Sequence, residues 1–447
     1  MSQLKTIKKG YKIEKGYFGK GLEIPEDWEI KTFDELFDFL ISGTNGRDDL
    51  DKNGEIHYIH YGDIHKNKKL ILDCDLEKIP YISKDKVSKI PLLKDADLII
   101  ADASEDYGGS GASILLTNVK NKKIVSGLHT IVLRNKDESI SVDFKGYVTL
   151  IPSVKSQIIS YVTGMSVYGL SKSNLKGIKV PIPKDPKEGM KIGKILSNVY
   201  KTIQKTQELI DQTIVYRESL MQKILIQGIT HAKPKKQKWY FGKSIEIPED
   251  WDIKPLGEIA KLSAGGTPST SKKEYWENGT IPWLTSGEIN FNRITNSEQK
   301  ITKLGLDNSA ARIFPKNCVL IAITGFGMTR GRSSYLEIES TTNQSVVGII
   351  PEKEIINAEY LWYYLRKEYF LVRSFAQGTQ QPGLNLEILN DFLVRYPKDP
   401  KEGIKIGNIL SNIDKKIKCE KKYKKQMESY HKSLMQKILT GQKRVKF

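Results

Sequence analysis

The sequence has few cysteines and no long apolar run, and these two scarcities exclude several classes of protein. Its three cysteines are Cys74, Cys318 and Cys419, and their wide spacing fits neither a disulfide framework nor a zinc motif. No stretch approaches the roughly 18 apolar residues that a membrane-spanning helix needs. The first residues, MSQLKTIKKG, lack the apolar core of a signal peptide. We therefore expect a cytoplasmic protein.

Catalytic motifs are also missing. The string FGKS resembles the end of a phosphate-binding loop, but Gln237 stands where that motif requires glycine. The sequence contains neither an amino-methyltransferase motif of the [DN]-P-P-[YFW] type nor a Pro-Asp…Glu-x-Lys nuclease pattern. The segment HYIHYGDIH places His57, His60, Asp63 and His65 close together, either as a metal site or as side chains that face solvent or DNA. The second half has no equivalent, and we expect a non-catalytic chain without a metal.

The charge is strongly positive. Lysine and arginine number 71 against 53 acidic residues, which gives a formal net charge of +18 and a pI near 9.4. Such a balance favours a polyanionic partner, nucleic acid before others. The alternative is a lysine-rich proteome in which every protein is basic. The length of 447 residues predicts two to four domains.

An internal repeat organises the chain. Residues 17–31 match residues 240–254 at 12 of 15 positions, and residues 183–199 match residues 397–413 at 14 of 17, including PKDPKEG in both. SLMQKIL occurs twice, at 219–225 and 433–439. Each copy thus has a near-identical entry segment, a variable block and a near-identical closing segment. The near-identical entry and closing segments indicate that both copies have the same structural role. The variable blocks indicate that the two copies bind different ligands.

The repeat predicts four divisions of the chain. Residues 1–182 form a first recognition domain with its entry segment, 183–228 a first spacer helix, 229–396 a linker with a second recognition domain, and 397–447 a second spacer helix and tail. The blocks are predicted to be mixed α/β (α+β), because short runs rich in β-branched residues alternate with Gly, Asn and Ser clusters. The predicted strands are Ile56–Ile59, Leu98–Ala101, Ile131–Arg134, Val319–Ile323 and Val346–Ile350.

The string DPKE predicts how each closing helix begins. Aspartate can cap the helix, proline suits its first position, and glutamate three residues on completes a capping box. Glycines end the helices and, near their starts, are predicted to be close-packing points. These residues are Asp185, Pro186, Glu188, Gly189 and Gly228 in the first copy, and Asp399, Pro400, Glu402, Gly403 and Gly441 in the second.

Both closing helices carry a 4-3 spacing that is typical of a coiled-coil seam. In the first helix the seam residues are Ile192, Leu196, Val199, Ile203, Thr206, Ile210, Thr213, Arg217, Leu220 and Ile224. In the second they are Ile406, Leu410, Ile413, Ile417, Leu434 and Ile438, with a middle that is predicted to drift to Tyr423, Met427 and Tyr430. Two seams in one chain favour packing of the helices against each other, or a single helical bundle.

Polar loops between the strands are the candidate DNA-binding residues. Arg, Asn, Gln and Ser can read base edges, whereas Lys and backbone amides hold phosphates. In the first block the candidates are Thr44, Asn45, Arg47, Tyr61, Lys66, Lys68, Tyr107, Ser110, Ser166, Tyr168 and Lys172. In the second block they are Thr267, Ser269, Lys272, Tyr275, Arg293, Thr324, Arg330, Arg332, Gln377, Gln380, Gln381 and Asn385.

The ordered double set of motifs resembles the DNA specificity subunit of type I restriction-modification enzymes over nearly the full length. The motifs are EIPEDW at 23–28 and 246–251, SGTNG and AGGTPST, IPWLTSGEI at 281–289, NQSV at 343–346, and the C-terminal SLMQKILTGQKRVKF. The first block departs from the pattern, with HYIHYGDI for IPWLTSGEI and SGLHTIV for TNQSVVG. The assignment of individual residues is therefore weaker there.

The resemblance implies two target recognition domains, each of which reads half of a split, asymmetric DNA site. It implies a long antiparallel coiled coil that sets the gap between half-sites, and a pseudo-two-fold axis. Two methyltransferase subunits carrying S-adenosylmethionine would dock on the helices, and restriction subunits using ATP and Mg would join them. This chain would hold no cofactor. A stand-alone DNA-binding protein and a nuclease built on the histidine cluster remain the alternatives.

Overall fold

A computed structural model describes residues 7–17, 21–67, 70–230, 232–325, 327–376 and 383–445. The chain forms two compact units. Unit 1 consists of residues 1–206 and 423–447, and unit 2 consists of residues 207–422. Each long helix contributes its first part to one unit and its remainder to the other. The compact units are therefore not the linear divisions at 182, 228 and 396 that follow from the repeat.

Unit 1 is built on a five-stranded and a three-stranded sheet, with three two-stranded sheets beside them. Its strands are β1 (Tyr11–Lys15), β2 (Gly21–Pro25), β3 (Trp28–Thr32), β4 (Phe37–Leu40), β5 (Ile56–Ile59), β6 (Ile71–Asp73), β7 (Tyr81–Ile82), β8 (Leu98–Ala101), β9 (Ala103–Ser104), β10 (Ser113–Thr117), β11 (Ile124–Ser126), β12 (Thr130–Asn135), β13 (Tyr168–Gly169) and β14 (Lys179–Pro183). Its short helices are α1 (Phe33–Leu36), α2 (Tyr61–Asn67), α3 (Val142–Lys145), α4 (Pro152–Tyr161) and α5 (Lys172–Lys176). The first long helix, α6, spans Pro186–Gln227.

The two larger sheets of unit 1 contain strands that are buried in the core. A five-stranded sheet has the order β4-β12-β8-β10-β6, and a three-stranded sheet has the order β11-β5-β7. All residues of β5 and β8 are buried, because helices or the other sheet cover both faces, as is typical of strands that read as continuous apolar runs. β3 pairs with β14, which brings the entry segment beside the start of α6.

Unit 2 repeats this topology. Its strands are β15 (Pro234–Lys238), β16 (Ser244–Pro248), β17 (Trp251–Pro255), β18 (Ala260–Ala264), β19 (Ile281–Leu284), β20 (Arg293–Ile294), β21 (Gln299–Ile301), β22 (Cys318–Ala322), β23 (Ser333–Leu336), β24 (Thr341–Thr342), β25 (Val346–Pro351) and β26 (Leu393–Pro397). Its helices are α7 (Leu256–Ile259), α8 (Lys303–Asp307), α9 (Ala358–Lys367), α10 (Tyr369–Ser374) and α11 (Leu386–Asn390), and the second long helix, α12, spans Pro400–Ile438. The sheet orders β18-β25-β22-β23-β20 and β21-β19-β24 correspond strand by strand to those of unit 1.

The predicted α/β class and the five predicted strands are confirmed. β5 and β8 have the predicted bounds, and β12, β22 and β25 differ by one residue at their ends. These segments were recognisable because they are apolar, β-branched and bounded by turn residues.

The long helices begin and end at the predicted residues. Asp185 and Asp399 each accept a hydrogen bond from the backbone nitrogen two residues on, at 2.9 Å in both copies. Gly228 and Gly441 follow the helices with φ of 68° and 70°, a left-handed conformation that glycine adopts without a steric cost.

The predicted capping boxes are wrong. The carboxylate of Glu188 accepts hydrogen bonds from Trp28 and Arg444, and that of Glu402 accepts them from Trp251 and the backbone of Ile229. Both glutamates are buried, at 3% and 5% exposure. A buried carboxylate requires strong donors, and the indole nitrogens supply them better than an exposed helix start does. The glutamates therefore join the helix starts to the entry segments.

The two long helices pack against each other in antiparallel directions within each unit. In unit 1, Glu188 lies beside Arg444, and Tyr200 lies beside His431. Unit 2 shows the same opposed order, with Glu402 beside Ile229 and Asp414 beside Arg217. The two ends of the second seam are confirmed, since Ile406, Leu410, Leu434 and Ile438 are all buried.

The predicted drift in the middle of the second helix is wrong for its two tyrosines, whereas Met427 is half-buried and lies on the seam. Tyr423 and Tyr430 are 44% and 55% exposed, whereas Glu420 and Lys424 are half-buried and His431 is buried. The 4-3 spacing thus continues without interruption through polar residues. An apolar search missed it because long polar side chains can bury their stems in a helix interface and keep their charged ends in water.

Candidate nucleic-acid interface

The polar loops of the first block meet at a cleft of about 870 Å³ in unit 1. The cleft lies where the chain leaves β5, β9 and β11, and its lining includes the predicted residues Arg47, Tyr61 and Lys66. Arg47 pairs with Asp63 at 2.8 Å, which holds the guanidinium beside the first turn of α2. Arg47 and Lys66 are exposed, so this concave surface is open to a ligand and carries cations at its rim.

Tyr61 lies at the centre of three imidazole rings. The ring centroids of His60, His129 and His65 are 4.4, 5.4 and 6.0 Å from that of Tyr61. The imidazoles are inclined to the Tyr61 ring, at 42° for His60 and at 87° and 81° for His129 and His65, so the cluster offers both ring faces and polar ring edges. Such surfaces suit nucleic-acid bases, which both stack and accept or donate hydrogen bonds.

Hydrogen bonds fix the orientation of the histidines. His65 contacts the carbonyl of Ala103 through Nε2 at 2.9 Å, and His57 contacts the carbonyl of Ile79 through Nδ1 at 3.1 Å. His60 accepts a hydrogen bond from the backbone nitrogen of Gly62 at 3.2 Å. Among the described residues, no group of three or more His, Cys, Asp or Glu side chains could hold a metal ion. The metal interpretation of HYIHYGDIH therefore has no structural support.

Other predicted residues of unit 1 lie around the same face. Thr44 and Ser166 are exposed, and Asn45 is half-buried with its carbonyl accepting a hydrogen bond from Tyr58. Tyr107 packs edge-to-face with Tyr168 at 5.2 Å. The remaining candidates behave differently.

Lys172 extends over Phe39, with its Nζ 3.1 Å from the Phe39 carbonyl. Ser110 is a correction, because it is fully buried beside the strand β10 and presents no surface to a ligand. Lys68 lies outside the described residues. The chain is closely packed on either side of Ser110, since a Cβ atom added at Gly109 would meet Ser104 and one added at Gly111 would meet Ile158.

In unit 2, side chains of α10 donate hydrogen bonds to residues 327–330 of the loop TGFGMTRGR. Arg373 donates hydrogen bonds to the carbonyls of Arg330 and Gly327, at 3.1 and 2.5 Å, and the hydroxyl of Tyr369 donates to the carbonyl of Met328. Arg332 donates to Asn290 at 2.8 Å. These hydrogen bonds fix residues 327–332 of the loop, and Thr324 lies exposed at its start.

The loop after β18 offers further polar atoms. Thr267 donates to the side chain of Gln344 at 2.6 Å, and Ser269 contacts Ser271 at 2.8 Å. Lys272 donates to the hydroxyl of Tyr275 at 3.0 Å. Tyr275 is a correction, because it is 5% exposed and contributes little more than its hydroxyl to the surface.

The last predicted loop of unit 2 is only partly described. Asn385 is exposed, but its side chain caps α11 by accepting a hydrogen bond from Ile388 at 2.8 Å. Gln377, Gln380 and Gln381 lie outside the described residues.

DNA binding by Arg293 stays a prediction, but the structure shows that its guanidinium also makes ion pairs within the fold. It pairs with Glu359 at 2.6 Å and Glu337 at 3.1 Å and lies over the rings of Tyr335 and Trp362. Its side chain is 18% exposed. The isolated position of Arg293 in a polar loop gave no indication of these carboxylates, which come from segments far away in sequence.

Sequence reasoning missed several residues that shape the two surfaces. They are Asp102 and His129 in unit 1, and Gln344 and Arg373 in unit 2. His129 and Gln344 follow the equivalent strands β11 and β24. The alignment of SGLHTIV with TNQSVVG could therefore have indicated that both residues belong to the candidate surfaces. Arg373 had none, because its role depends on the packing of α10 under a loop that lies 43 residues earlier.

The model of the type I restriction modification DNA specificity domain matches the chain twice, over residues 25–213 and 248–429. The chain belongs to this family. Within the specificity family, the MjaIX specificity subunit of Methanocaldococcus jannaschii is 33% identical over 193 residues, which are 41% of this chain and 42% of that one. The putative MjaX specificity subunit of the same organism is 25% identical over 439 residues, 95% of each chain. The resemblance seen in the sequence is thereby confirmed.

Solved structures show the same fold. The S subunit of a type I restriction-modification system from M. genitalium has a TM-score of 0.57 at 16% identity, covering 92% of this chain and 96% of that one. A chain from a type I R-M system whose complex assembly was solved has a TM-score of 0.54 at 13% identity, over 94% and 99% of the two chains. Within the described ranges, no helix is long and apolar enough to cross a membrane.

Proposed function

We propose that this specificity-family chain is the DNA-reading subunit of a type I restriction-modification complex, and that each unit reads one half of a bipartite, asymmetric site. The chain itself is non-catalytic. Family membership favours this role over a stand-alone DNA-binding protein, because the family's domain belongs to a multisubunit system. The observation that carries the proposal is that both units build one backbone frame and line it with different side chains.

The frame is visible in matched hydrogen bonds. In unit 1 the backbone of Gly43 donates to Ser126, and in unit 2 that of Gly266 donates to Thr342, both at 2.8 Å. The first turn after β5 is held by Asp63, which accepts from the backbone of His60. The turn after β19 is held in the same way, because the carboxylate of Glu288 accepts a hydrogen bond from the backbone of Thr285. Equivalent positions can therefore be assigned without relying on sequence identity.

The side chains on this frame differ in chemistry. His60, Tyr61 and His129 of unit 1 correspond to Thr285, Ser286 and Ser345 of unit 2. Asp102 corresponds to Ile323. The backbone N–H of Asp102 donates to the carbonyl of His129, and that of Ile323 donates to the carbonyl of Ser345. The carbonyls of Asp102 and Ile323 accept hydrogen bonds from the backbone of Leu170 and Leu384. Because bases are distinguished by donor and acceptor patterns in the major groove, two linings of this kind read two different sequences.

The repeated helices supply the partner surfaces. The starts of α6 and α12 share PKDPKEG, and both helices close with SLMQKIL, so one partner can dock twice. Two methyltransferase subunits fit this duplication, and restriction subunits complete the complex. S-adenosylmethionine, ATP and Mg belong to those partners, and the complex acts on cytoplasmic DNA. The 42 and 39 residues of the two helices set the gap between the half-sites.

Genome-wide mapping of methylated bases, with and without this gene, tests the proposal. We expect one split motif with a fixed unspecified gap to disappear when the gene is deleted. Exchange of residues 251–397 for the block of another specificity subunit should then change one half of the motif and leave the other. A methylome that does not respond to deletion, while the gene is expressed with its partners, would contradict the proposal.

A further inference from the structure

His129 and Asp102 form a pair at the cleft that unit 2 does not reproduce. The Nδ1 atom of His129 lies 3.2 Å from Oδ1 of Asp102. The His129 side chain is 47% exposed, whereas that of Asp102 is 28% exposed. At the equivalent positions, Ser345 and Ile323 offer neither a ring nor a carboxylate. The pair is therefore a property of the first half-site alone.

The backbone of His129 adopts the left-handed conformation, which is uncommon outside glycine although histidine is enriched in it. Its φ is 56°, which is the left-handed region disfavoured for side chains with a Cβ atom. The surrounding chain holds it there, since its carbonyl accepts a hydrogen bond from Asp102 and the next strand begins at Thr130. Backbone strain that the fold maintains in this way is concentrated at functional sites.

The carboxylate determines which nitrogen of His129 carries the proton. Burial raises the pKa of Asp102. In its ionised form the carboxylate only accepts hydrogen bonds, so Nδ1 is then the donor. In the neutral ring, Nε2 is then an acceptor. Among the described residues, none forms a hydrogen bond with Nε2 of His129, and the ring lines the open cleft. The pair thus presents a hydrogen-bond acceptor to an incoming ligand.

His60 is 5% exposed, lines the same cleft beside Tyr61 and presents the opposite chemistry. Its Nδ1 accepts the hydrogen bond from the backbone of Gly62, so its Nε2 carries the proton. Burial, together with the positive charge of Arg47, lowers the pKa of His60, which keeps the ring neutral. The two imidazoles lie 4.4 and 5.4 Å from the Tyr61 ring. One donor and one acceptor therefore flank the same aromatic ring.

In the major groove, adenine is the base whose edge pairs an acceptor, N7, with a donor, the N6 amino group. Guanine presents two acceptors there. We propose that His129, oriented by Asp102, accepts a hydrogen bond from the amino group of an adenine, while His60 donates to the same base. This assignment rests on the proposed function, and it makes His129 a specificity-determining residue and Asp102 its positioning residue.

The test is selection from a randomised DNA duplex library by the full chain assembled with its methyltransferase subunits. Bound sequences are determined for the unmodified chain, His129→Gly, Asp102→Asn and, as a control in unit 2, Ser345→Ala. Glycine adopts the left-handed backbone without a steric cost, so His129→Gly removes the ring and spares the turn. Thermal unfolding of each variant confirms that it is folded.

His129→Gly should relax the selection of one adenine in one half-site by about 10-fold, the order expected for loss of a base contact. Asp102→Asn should change that preference towards guanine. The asparagine amide can donate to Nδ1, so the proton moves to Nε2, and the site then offers two donors. Ser345→Ala should leave this half-site unchanged.

Two results would overturn the inference, and they are distinguishable. If the unmodified complex selects a split motif that both His129→Gly and Asp102→Asn retain in full, His129 is not a base-reading residue and the proposed function stands. If the unmodified complex selects no split motif, the proposed function fails and the inference fails with it.

Discussion

The carboxylate of Glu188 accepts a hydrogen bond from the indole nitrogen of Trp28 at 3.2 Å, although 160 residues separate them in the sequence. Unit 2 repeats the contact between Glu402 and Trp251 at 3.1 Å. Each tryptophan is completely buried, so its N–H depends on this acceptor. The contact explains why EIPEDW and PKDPKEG are duplicated together, because each motif supplies the partner of the other.

Replacement of Glu402 by alanine should lower the stability of unit 2. It removes the acceptor of both Trp251 and the backbone of Ile229, and a buried unsatisfied donor costs about 1–3 kcal/mol. Urea unfolding followed by tryptophan fluorescence measures the change in free energy. The exposed Glu249, replaced by alanine, is the matched control and should change stability by no more than about 0.5 kcal/mol. Equal effects of the two substitutions would show that the buried contact contributes nothing.

Arg217 and Asp414 should be strongly coupled in the helix pair of unit 2. Their side chains are 12% and 18% exposed and lie 2.6 Å apart, and Tyr363 also donates to Asp414. A double-mutant cycle with alanine at both positions should give a coupling energy of about 1–3 kcal/mol.

The exposed pair Lys303–Asp307 is the control for this cycle and should give no more than about 0.5 kcal/mol. The sequence repeat places His431 and Tyr200 at the corresponding positions of unit 1, where the contact is between rings at 6.0 Å. A coupling between Arg217 and Asp414 no larger than that of the control would contradict the prediction.

Lys145 should make unit 1 more stable at alkaline pH. The residue is 1% exposed, and burial lowers its pKa to about 8, whereas an unfolded lysine has a pKa of about 10.4. Between these values the unfolded chain binds the additional proton, so the free energy of unfolding rises with pH across that window. Below it, the buried charge destabilises the fold.

Replacement of Lys145 by methionine should remove this rise and raise the free energy of unfolding at neutral pH by up to about 3 kcal/mol. Chemical unfolding at about pH 7 and pH 9.5 measures both effects across the expected window. The exposed Lys120, replaced by methionine, should preserve the pH dependence. An unchanged pH profile for the Lys145 variant would mean that the ammonium is solvated through a route that the structure does not show.

Arg293 and Arg332 should respond differently to alanine. Loss of Arg293 leaves Glu337 and Glu359 without their shared partner, and we expect a clear fall in the thermal midpoint of unit 2. Arg332 interacts with Asn290 on an exposed loop, so its loss should leave the midpoint nearly unchanged and relax one half-site in duplex selection. A stable Arg293 variant with relaxed specificity would support the interpretation of Arg293 as a base-reading residue.

The sequence by itself determined the repeated plan of this protein, the positions where its long helices begin and end, and the buried strands. These features depend on local chemistry: proline and aspartate at a helix start, glycine at a left-handed position, and apolar β-branched runs. The same local reasoning assigned Glu188 to a capping box, because the sequence near the helix offered no other partner for it.

Only the tertiary structure decided which side chains meet. It paired Glu188 with Trp28, enclosed Arg293 between two glutamates, buried Ser110 and Tyr275, and brought Asp102 to His129. Each of these contacts joins segments that lie far apart in the chain, and a buried charge or ring is stabilised by whichever partner the fold places beside it. Local sequence carries no record of that partner, which is why the candidate surface could be located from the sequence while the residues that shape it could not.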